Sequence, residues 1–196
     1  SGKSNFRNNI YEDYKANRDR SLRPEKYEEI REYLVSEWDA IVMEGMEADD
    51  GLGIHQTNET VICTVDKDLD TVPGLHFNWC KKRVQDGVYN ITDVEAARFF
   101  YLQCLTGDPV DNIPGLFKLT GKKAMPKIKK PLEEMNDEAE MFKYVQGLYE
   151  EHGVDYTKYA LCLKILTEYP DGGNTEDIPL NKEEPVEVST VQESFE

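Results

Sequence analysis

Three clusters of acids each stand where an apolar run or a helical pattern stops: Glu47, Asp49 and Asp50 in GMEADD, Asp66 and Asp68 in TVDKDLD, Asp108 and Asp111 in GDPVDNIPG. Acids at such positions are fixed at the ends of rigid elements rather than spread over a solvated surface. Two like charges about 4 Å apart repel by roughly 4 kcal/mol at an effective dielectric of 20, so seven converging carboxylates need bound cations. Oxygen-only ligands select hard ions such as Mg²⁺ or Mn²⁺, which keep several waters and share their coordination with phosphate. Taken singly, EADD is also a charged first helical turn favoured by the helix dipole, and DKDLD a solvated turn. Three such clusters on separate elements point to one site, and to a phosphate-ester substrate.

The elements between the clusters predict an α/β fold. TVICTV (60–65) is β-branched and almost wholly apolar, as in a strand of a parallel sheet covered on both faces. Asp66 and Asp68 follow at its C-terminal end, the edge where ligands bind in open α/β sheets. Ala40–Met43 reads as a second short buried strand, with a crossover helix over 48–56 that puts Glu47 and Asp50 on one face. Residues 75–79 and 87–91 are further extended pieces. Pro24 opens a helix in which Tyr27, Ile30, Tyr33, Leu34 and Trp38 recur at helical spacing. Thr92 and Glu95 form a capping box that starts a helix through about Leu105. Residues 109–121 form a compact turn, and helices are expected near 121–130, 137–151 and 155–167. Residues 1–20 are read as a loop leading into a short helix.

The formal charge of −16 argues against nonspecific binding to nucleic acid, but it is unevenly distributed. From Asp171 to Glu196 eight acids face only Lys182, so this stretch alone carries −7 and is expected to be disordered. By contrast, Lys118, Lys122, Lys123, Lys127, Lys129 and Lys130 occur in one stretch without an acid, a basic surface beside the third cluster. No apolar run is long enough to span a membrane, and no signal peptide precedes the first element, so the expected setting is cytoplasmic. Cys63, Cys80, Cys104 and Cys162 form no CxxC pair and are read as reduced core residues. His55, His76 and His152 are scattered, which excludes a zinc site. Asp66, Asp68 and Asp70 mimic the start of an EF-hand, but Thr71 and Phe77 stand where Gly and Glu are required. Gly2-Lys3-Ser4 matches the end of a P-loop without its preceding glycine and strand. With no covalent nucleophile motif, water is the attacking group.

Taken together, SGKSNFR, YKANR, GMEADD, TVDKDLDTVPG and LTGDPVDNIPG resemble the 5′ nuclease superfamily of flap endonucleases and 5′-to-3′ exonucleases, its phage members above all, over roughly residues 1–130. The resemblance implies a PIN-like 5′ nuclease core with a central, mostly parallel sheet (1–107), a helix-three-turn-helix (helix-hairpin-helix type) and helical region (108–169) and an acidic tail (170–196). It implies two Mg²⁺ ions, with Mn²⁺ as a substitute, the first bound by Glu47, Asp49 and Asp50 and the second by Asp66, Asp68, Asp108 and Asp111. Lys15 and Arg18 match the basic pair that reaches the scissile phosphate, and Arg7 and Tyr14 match contacts to the substrate strand. Residues 19–38 match the gateway over the active site. Residues 108–130 match the duplex grip, with K⁺ on main-chain carbonyls and Lys118, Lys122 and Lys123 on phosphates. Here the chain departs from the family, with Lys118-Leu119-Thr120 where a glycine-flanked aliphatic residue is usual.

The activity implied is metal-dependent hydrolysis of DNA with 5′ ends or flaps, or of RNA/DNA hybrid, to 5′-phosphate products. Family members also carry an N-terminal strand with one catalytic Asp, and a second Asp just before the segment matching SGKS. The sequence starts at Ser1 with neither, so a fragment, a split gene product that needs a complementing N-terminal chain, or an incomplete sequence is expected. Two other classes stay open: a catalytically incomplete DNA-binding or complementing subunit, and a PIN-type ribonuclease.

Overall fold

In a computed structural model of the chain, residues 5–19, 23–80, 87–121 and 125–170 are described, the side chains of 125–127 excepted. The tail after residue 170, the SGKS segment, Lys122, Lys123 and the side chain of Lys127 lie outside them.

The molecule is built around one helix, α4 (Asp93–Thr106). Its start is set by the expected capping box: Thr92 Oγ1 accepts from the Glu95 amide while the Glu95 carboxylate accepts from the Thr92 amide. Tyr101, Cys104 and Leu105 of α4 are wholly buried against α5 (Leu116–Thr120), α6 (Met125–Glu134), α7 (Glu138–Glu151) and α8 (Tyr156–Leu163). Leu132, Met141, Val145, Tyr149 and Ala160 supply the other side of this core, and the Tyr149 hydroxyl donates to the Cys104 carbonyl at 2.5 Å. Side-chain caps by Asp137 and Asp155 begin α7 and α8. The expected compact turn over 109–121 therefore contains a helix, α5, that ends at Gly121 in the left-handed conformation (φ 67°).

The sheet is small and only partly parallel. β1 (Val61–Cys63) pairs in parallel with β2 (Gly74–Phe77), which pairs antiparallel with β3 (Tyr89–Ile91), in the order β1-β2-β3. Ile62, Leu69, Val72 and Ile165 pack together beneath it. Of TVICTV only Val61–Cys63 is a strand, and it is covered on one face only: Ile62 is buried, whereas Val61 and Cys63 are exposed. Cys63 is thus not a core residue; Cys104 and Cys162 are.

Ala40–Met43 is not a strand. Ile41 is 73% exposed, and the chain here is tied elsewhere, since the Ala40 amide donates to Leu34 and the Gly45 carbonyl accepts from Phe6. A short apolar run does not by itself specify a strand. Helix α2 (Tyr27–Trp38) forms where its period places it, yet none of its residues is buried. α1 (Arg7–Ile10) and α3 (Ala48–Ile54) complete the fold, with Phe6, Leu161 and Leu166 joining the N-terminal segment to the end of α8.

Candidate metal centre

The GMEADD cluster divides by depth. Asp50 is fully buried, and its carboxylate accepts from both Arg7 terminal nitrogens (2.7 and 2.7 Å), the Glu47 amide (2.8 Å) and the Leu166 amide (3.1 Å). Every lone pair has a donor. Arg7 also donates to the carbonyls of Cys162 (3.1 Å) and Lys164 (2.5 Å), and its guanidinium is held more basic than usual: burial opposes this, but the Asp50 hydrogen bonds and charge outweigh it. This buried, bidentate pair is geometrically the strong kind. It clamps α1 to α3 and to the chain after α8.

One step outward, Glu47 caps α3 and is still buried. Asn5 donates to it at 3.0 Å, Tyr14 at 3.1 Å and the Lys15 ammonium at 2.6 Å to each oxygen. Burial would raise its pKa, but Lys15, Arg7 and Tyr14 hold it below the ordinary value. Asp49 is the opposite case: burial first, then the negative charges of Glu47, Asp66 and Asp50, raise it from 3.8 to about 6.

The third cluster hangs on a minimal hairpin, β4 (Gly107–Asp108) paired with β5 (Ile113–Pro114). Gly107 has φ 73°, and a Cβ there would lie 2.1 Å from the Gly115 nitrogen, so only glycine lets the hairpin close. Asp108 accepts from the amides of Val110 (2.7 Å) and Asp111 (3.3 Å). The YKANR loop docks on this hairpin: the Lys15 amide donates to the Asp111 carbonyl (2.9 Å), Asn112 to the Asp13 carbonyl (2.8 Å) and Asn17 to the Pro109 carbonyl (2.9 Å). Lys15 (φ 55°) and Asn112 (φ 59°) are both left-handed, a conformation that disfavours a residue with a Cβ by roughly 1–2 kcal/mol. Lys15 lies 3.1 Å and Arg18 2.5 Å from Asp111. The Tyr14 hydroxyl lies 3.1 Å from Glu47 and 3.2 Å from Asp111, so one proton serves two carboxylates. Burial, then those acids, keep this phenol protonated.

The second cluster follows β1. Asp66 caps the 3-10 turn Lys67–Thr71 and accepts from the Asp68 amide (3.0 Å); Asp68 pairs with Lys67 and accepts from Gln103 of α4 at 2.5 Å. Burial, and then the charges of Asp66 and Asp108, raise the Asp68 pKa against the pull of Lys67.

Followed from neighbour to neighbour, six acids are linked by shared donors or by the charge each places on the next. Asp111 meets Glu47 through Tyr14 and Lys15. Glu47 and Asp66 act on Asp49, Asp66 touches Asp68, Asp108 acts on Asp68, and Asp108 receives the Asp111 amide. Asp50 lies beneath these acids with Arg7.

No protein-family model matches the chain. Exodeoxyribonuclease of Enterobacteria phage T3 is 30% identical over 112 residues, 53% of this chain and 36% of that protein. The chain is a homologue of that exodeoxyribonuclease. DNA polymerase I of Rhizobium leguminosarum is 33% identical over 127 residues, 57% of this chain and 12% of that protein. The chain thus spans well under half the length of either relative. Among solved structures, the T5 D15 protein co-crystallised with metal ions has the same fold, with a TM-score of 0.59 and 22% identity over 85% of this chain and 74% of that one.

Whether these residues suit a hard divalent ion rests on their own chemistry. The donor set is all carboxylate oxygen, and a cation, the Lys15 ammonium, already sits between Glu47 and Asp111. Gln103 Oε1, buried without a hydrogen-bond partner, adds an oxygen-bearing side chain beside Asp68. The donors fit in kind. In placement they meet as pairs around the chain's own lysines: among the described residues, no group of three or more His, Cys, Asp or Glu stands ready to hold a metal ion.

Two of the residues matched to substrate contacts face inward. Arg7 is 2% exposed, so its guanidinium holds the site's scaffold, and Tyr14 is 5% exposed among the acids. Arg18 and Lys118 are exposed. Lys122 and Lys123, on which the basic helix-hairpin-helix reading falls, lie outside the described residues. Asn5 and Gln103 went unnoticed in the sequence; Gln103 carried a signal, a lone polar residue on the buried α4 face between Phe100 and Cys104. No helix among the described residues is long and apolar enough to cross a membrane.

Proposed function

We propose that this chain carries the catalytic region of a metal-dependent 5′-to-3′ nuclease with flap endonuclease-type activity on DNA. The acids gathered near Glu47 and Asp111, both paired with Lys15 and the latter also with Arg18, support the reading. Glu47, Asp49, Asp66, Asp68, Asp108 and Asp111 would hold two Mg²⁺ ions, Mn²⁺ substituting. Bound there, such ions supply an activated water and neutralise charge at the leaving oxygen of an in-line displacement. Lys15 and Arg18 offset charge gathering on the scissile phosphate. Asp50 and Arg7 keep Glu47 in register from below. Homology to an exodeoxyribonuclease supports the reaction class, and the fold shared with the T5 D15 protein supports the architecture. Lys118, with Lys122 and Lys123, is proposed to contact duplex phosphates, where K⁺ on main-chain carbonyls would assist.

The test is release of label from a 5′-flap DNA by the chain as it stands. Cleavage should need Mg²⁺ and vanish in EDTA, and Asp66→Ala should abolish it. Cleavage that persists in EDTA excludes the proposal.

A second reading, a DNA-binding subunit that becomes catalytic only when another segment completes it, is favoured by the sheet. Among the described residues β1 has no partner on its outer edge, and its Val61 is exposed. It predicts flap binding without turnover until an apolar strand-forming segment is added; full activity of the isolated chain excludes it.

A further inference from the structure

The second and third acidic clusters are joined through one residue of α4. Gln103 is 7% exposed, on the buried face of the helix between Phe100 and Cys104. Its side-chain amide donates to Asp68 Oδ1 at 2.5 Å, the oxygen that also pairs with Lys67. Its main-chain carbonyl accepts from the Gly107 amide, one residue before Asp108. Gln103 thus grips the second cluster with its side chain and the start of the third with its backbone. The amide can face the carboxylate only through its nitrogen, because its oxygen has no proton to give. That orientation leaves Oε1 buried with no hydrogen-bond partner among the described residues. An unsatisfied buried acceptor costs stability, and methionine would fill the same space without that cost. The side chain is therefore placed for Asp68 rather than for the core.

We propose that Gln103 is a positioning residue for the cleavage reaction: it holds the Asp68 carboxylate in register with Asp108, so that acids from two separate segments keep a fixed separation. The inference rests on the nuclease reading above and gives this residue a part in it. Besides Gln103, Asp68 pairs with Lys67, whose side chain is 52% exposed on a flexible stem, a partner for which water competes. Gln103 belongs instead to a helix whose Tyr101, Cys104 and Leu105 are wholly buried. Reacting groups must be held to within about 0.5 Å by residues that packing has itself locked. A carboxylate tethered to α4 inherits the rigidity of that helix, and the same helix runs directly into the Gly107–Asp108 strand. One rigid element therefore sets where Asp68 stands and where Asp108 begins.

The experiment uses the full chain as wild type, Gln103→Met and Asp68→Ala, each checked for folding by circular dichroism. In wild type the side-chain amide protons of Gln103, followed by nuclear magnetic resonance, should be widely split, with one exchanging slowly. In Asp68→Ala that splitting and protection should disappear. On a 5′-flap DNA in Mg²⁺, Gln103→Met should lower kcat about 10- to 100-fold, the usual cost of removing a group that orients a site's ligands, with KM unchanged. Its Tm should match or exceed that of wild type, whereas loss of a merely structural glutamine would lower it. A Gln103 amide indifferent to Asp68→Ala, a Gln103→Met that cleaves like wild type, or one whose lost cleavage is matched by a lower Tm overturns the positioning role and leaves the nuclease reading standing. A wild type that leaves the flap intact overturns that reading, and this role with it.

Discussion

Asp49→Asn should make the metal-free protein more stable, and the pH at which it does so is set by the site. The Asp49 carboxyl is raised from 3.8 to about 6, by burial first and then by Glu47, Asp66 and Asp50. A shift of about two units is roughly 3 kcal/mol against the ionised form. Part of the carboxylate remains in water, which trims this. It also stands in the first turn of α3, where a negative charge is favoured by about 0.5 kcal/mol. The net gain expected from asparagine at pH 7 is about 2 kcal/mol, or roughly 4–8 °C in Tm for a domain of this size. The sign follows from linkage. Because folding raises this pKa, wild type suffers no penalty below about pH 4, an increasing one between pH 4 and 6, and the whole of it above pH 6. The Tm difference between Asp49→Asn and wild type should therefore be widest at pH 7 in EDTA and close by pH 4. Added Mg²⁺ should close it from the other side, by stabilising wild type alone. The assay is thermal unfolding by circular dichroism from pH 4 to 7.5. A variant less stable than wild type at pH 7, or a difference that does not change with pH, would show that Asp49 is not held among like charges.

Arg7→Met leaves Asp50 buried without its cation and should cost about 3–5 kcal/mol in urea denaturation, whereas a surface arginine would give under 1. Gly107→Ala drives a Cβ into the Gly115 backbone at a left-handed position and should lower Tm by several degrees while abolishing cleavage; an unchanged Tm would remove the argument for the hairpin. Among the cysteines, exposed Cys63 should react first with a thiol reagent in native protein, and Cys104, whose thiol burial pushes far up, only on unfolding; equal rates would contradict the burial assigned to them.

What was legible in the sequence was what local chemistry decides. Thr92 and Glu95 are three apart at the head of an apolar helical repeat, and a capping box needs no tertiary information. TVICTV is rich in β-branched residues, which favour a strand at its centre, Val61–Cys63, and Asp66 follows shortly after it in the chain. What depended on distant partners was not legible. Ala40–Met43 is as apolar as a strand but pairs with no strand among the described residues. The two-sided burial expected of β1 failed for the same reason, because burial belongs to the pair of strands rather than to the sequence of either. Leu116–Thr120 is helical although prolines and glycines surround it, since Leu116 and Phe117 are pulled into the core against α4.

The same distinction explains why the acids could be found and their cations could not be placed. A carboxylate cluster announces itself because its self-repulsion has no structural use; a lysine or arginine does not, because either can face a substrate or the chain's own acids. Only the three-dimensional arrangement separates Arg7 from Arg18, sequence neighbours of one charge: Arg7 is sealed beneath Asp50 and Arg18 stands at the rim on Asp111. Lys15 lies between these extremes, too buried to be a surface contact and too loosely committed to be scaffold, with two acids gripping it at a strained backbone position. Arg7 is a permanent foundation, because removing it would leave Asp50 buried without its partner, whereas Arg18 is screened by water. The gradient of burial across three cations, and not the count of acids, is therefore what divides this region into a sealed foundation, a half-sealed middle and an open rim.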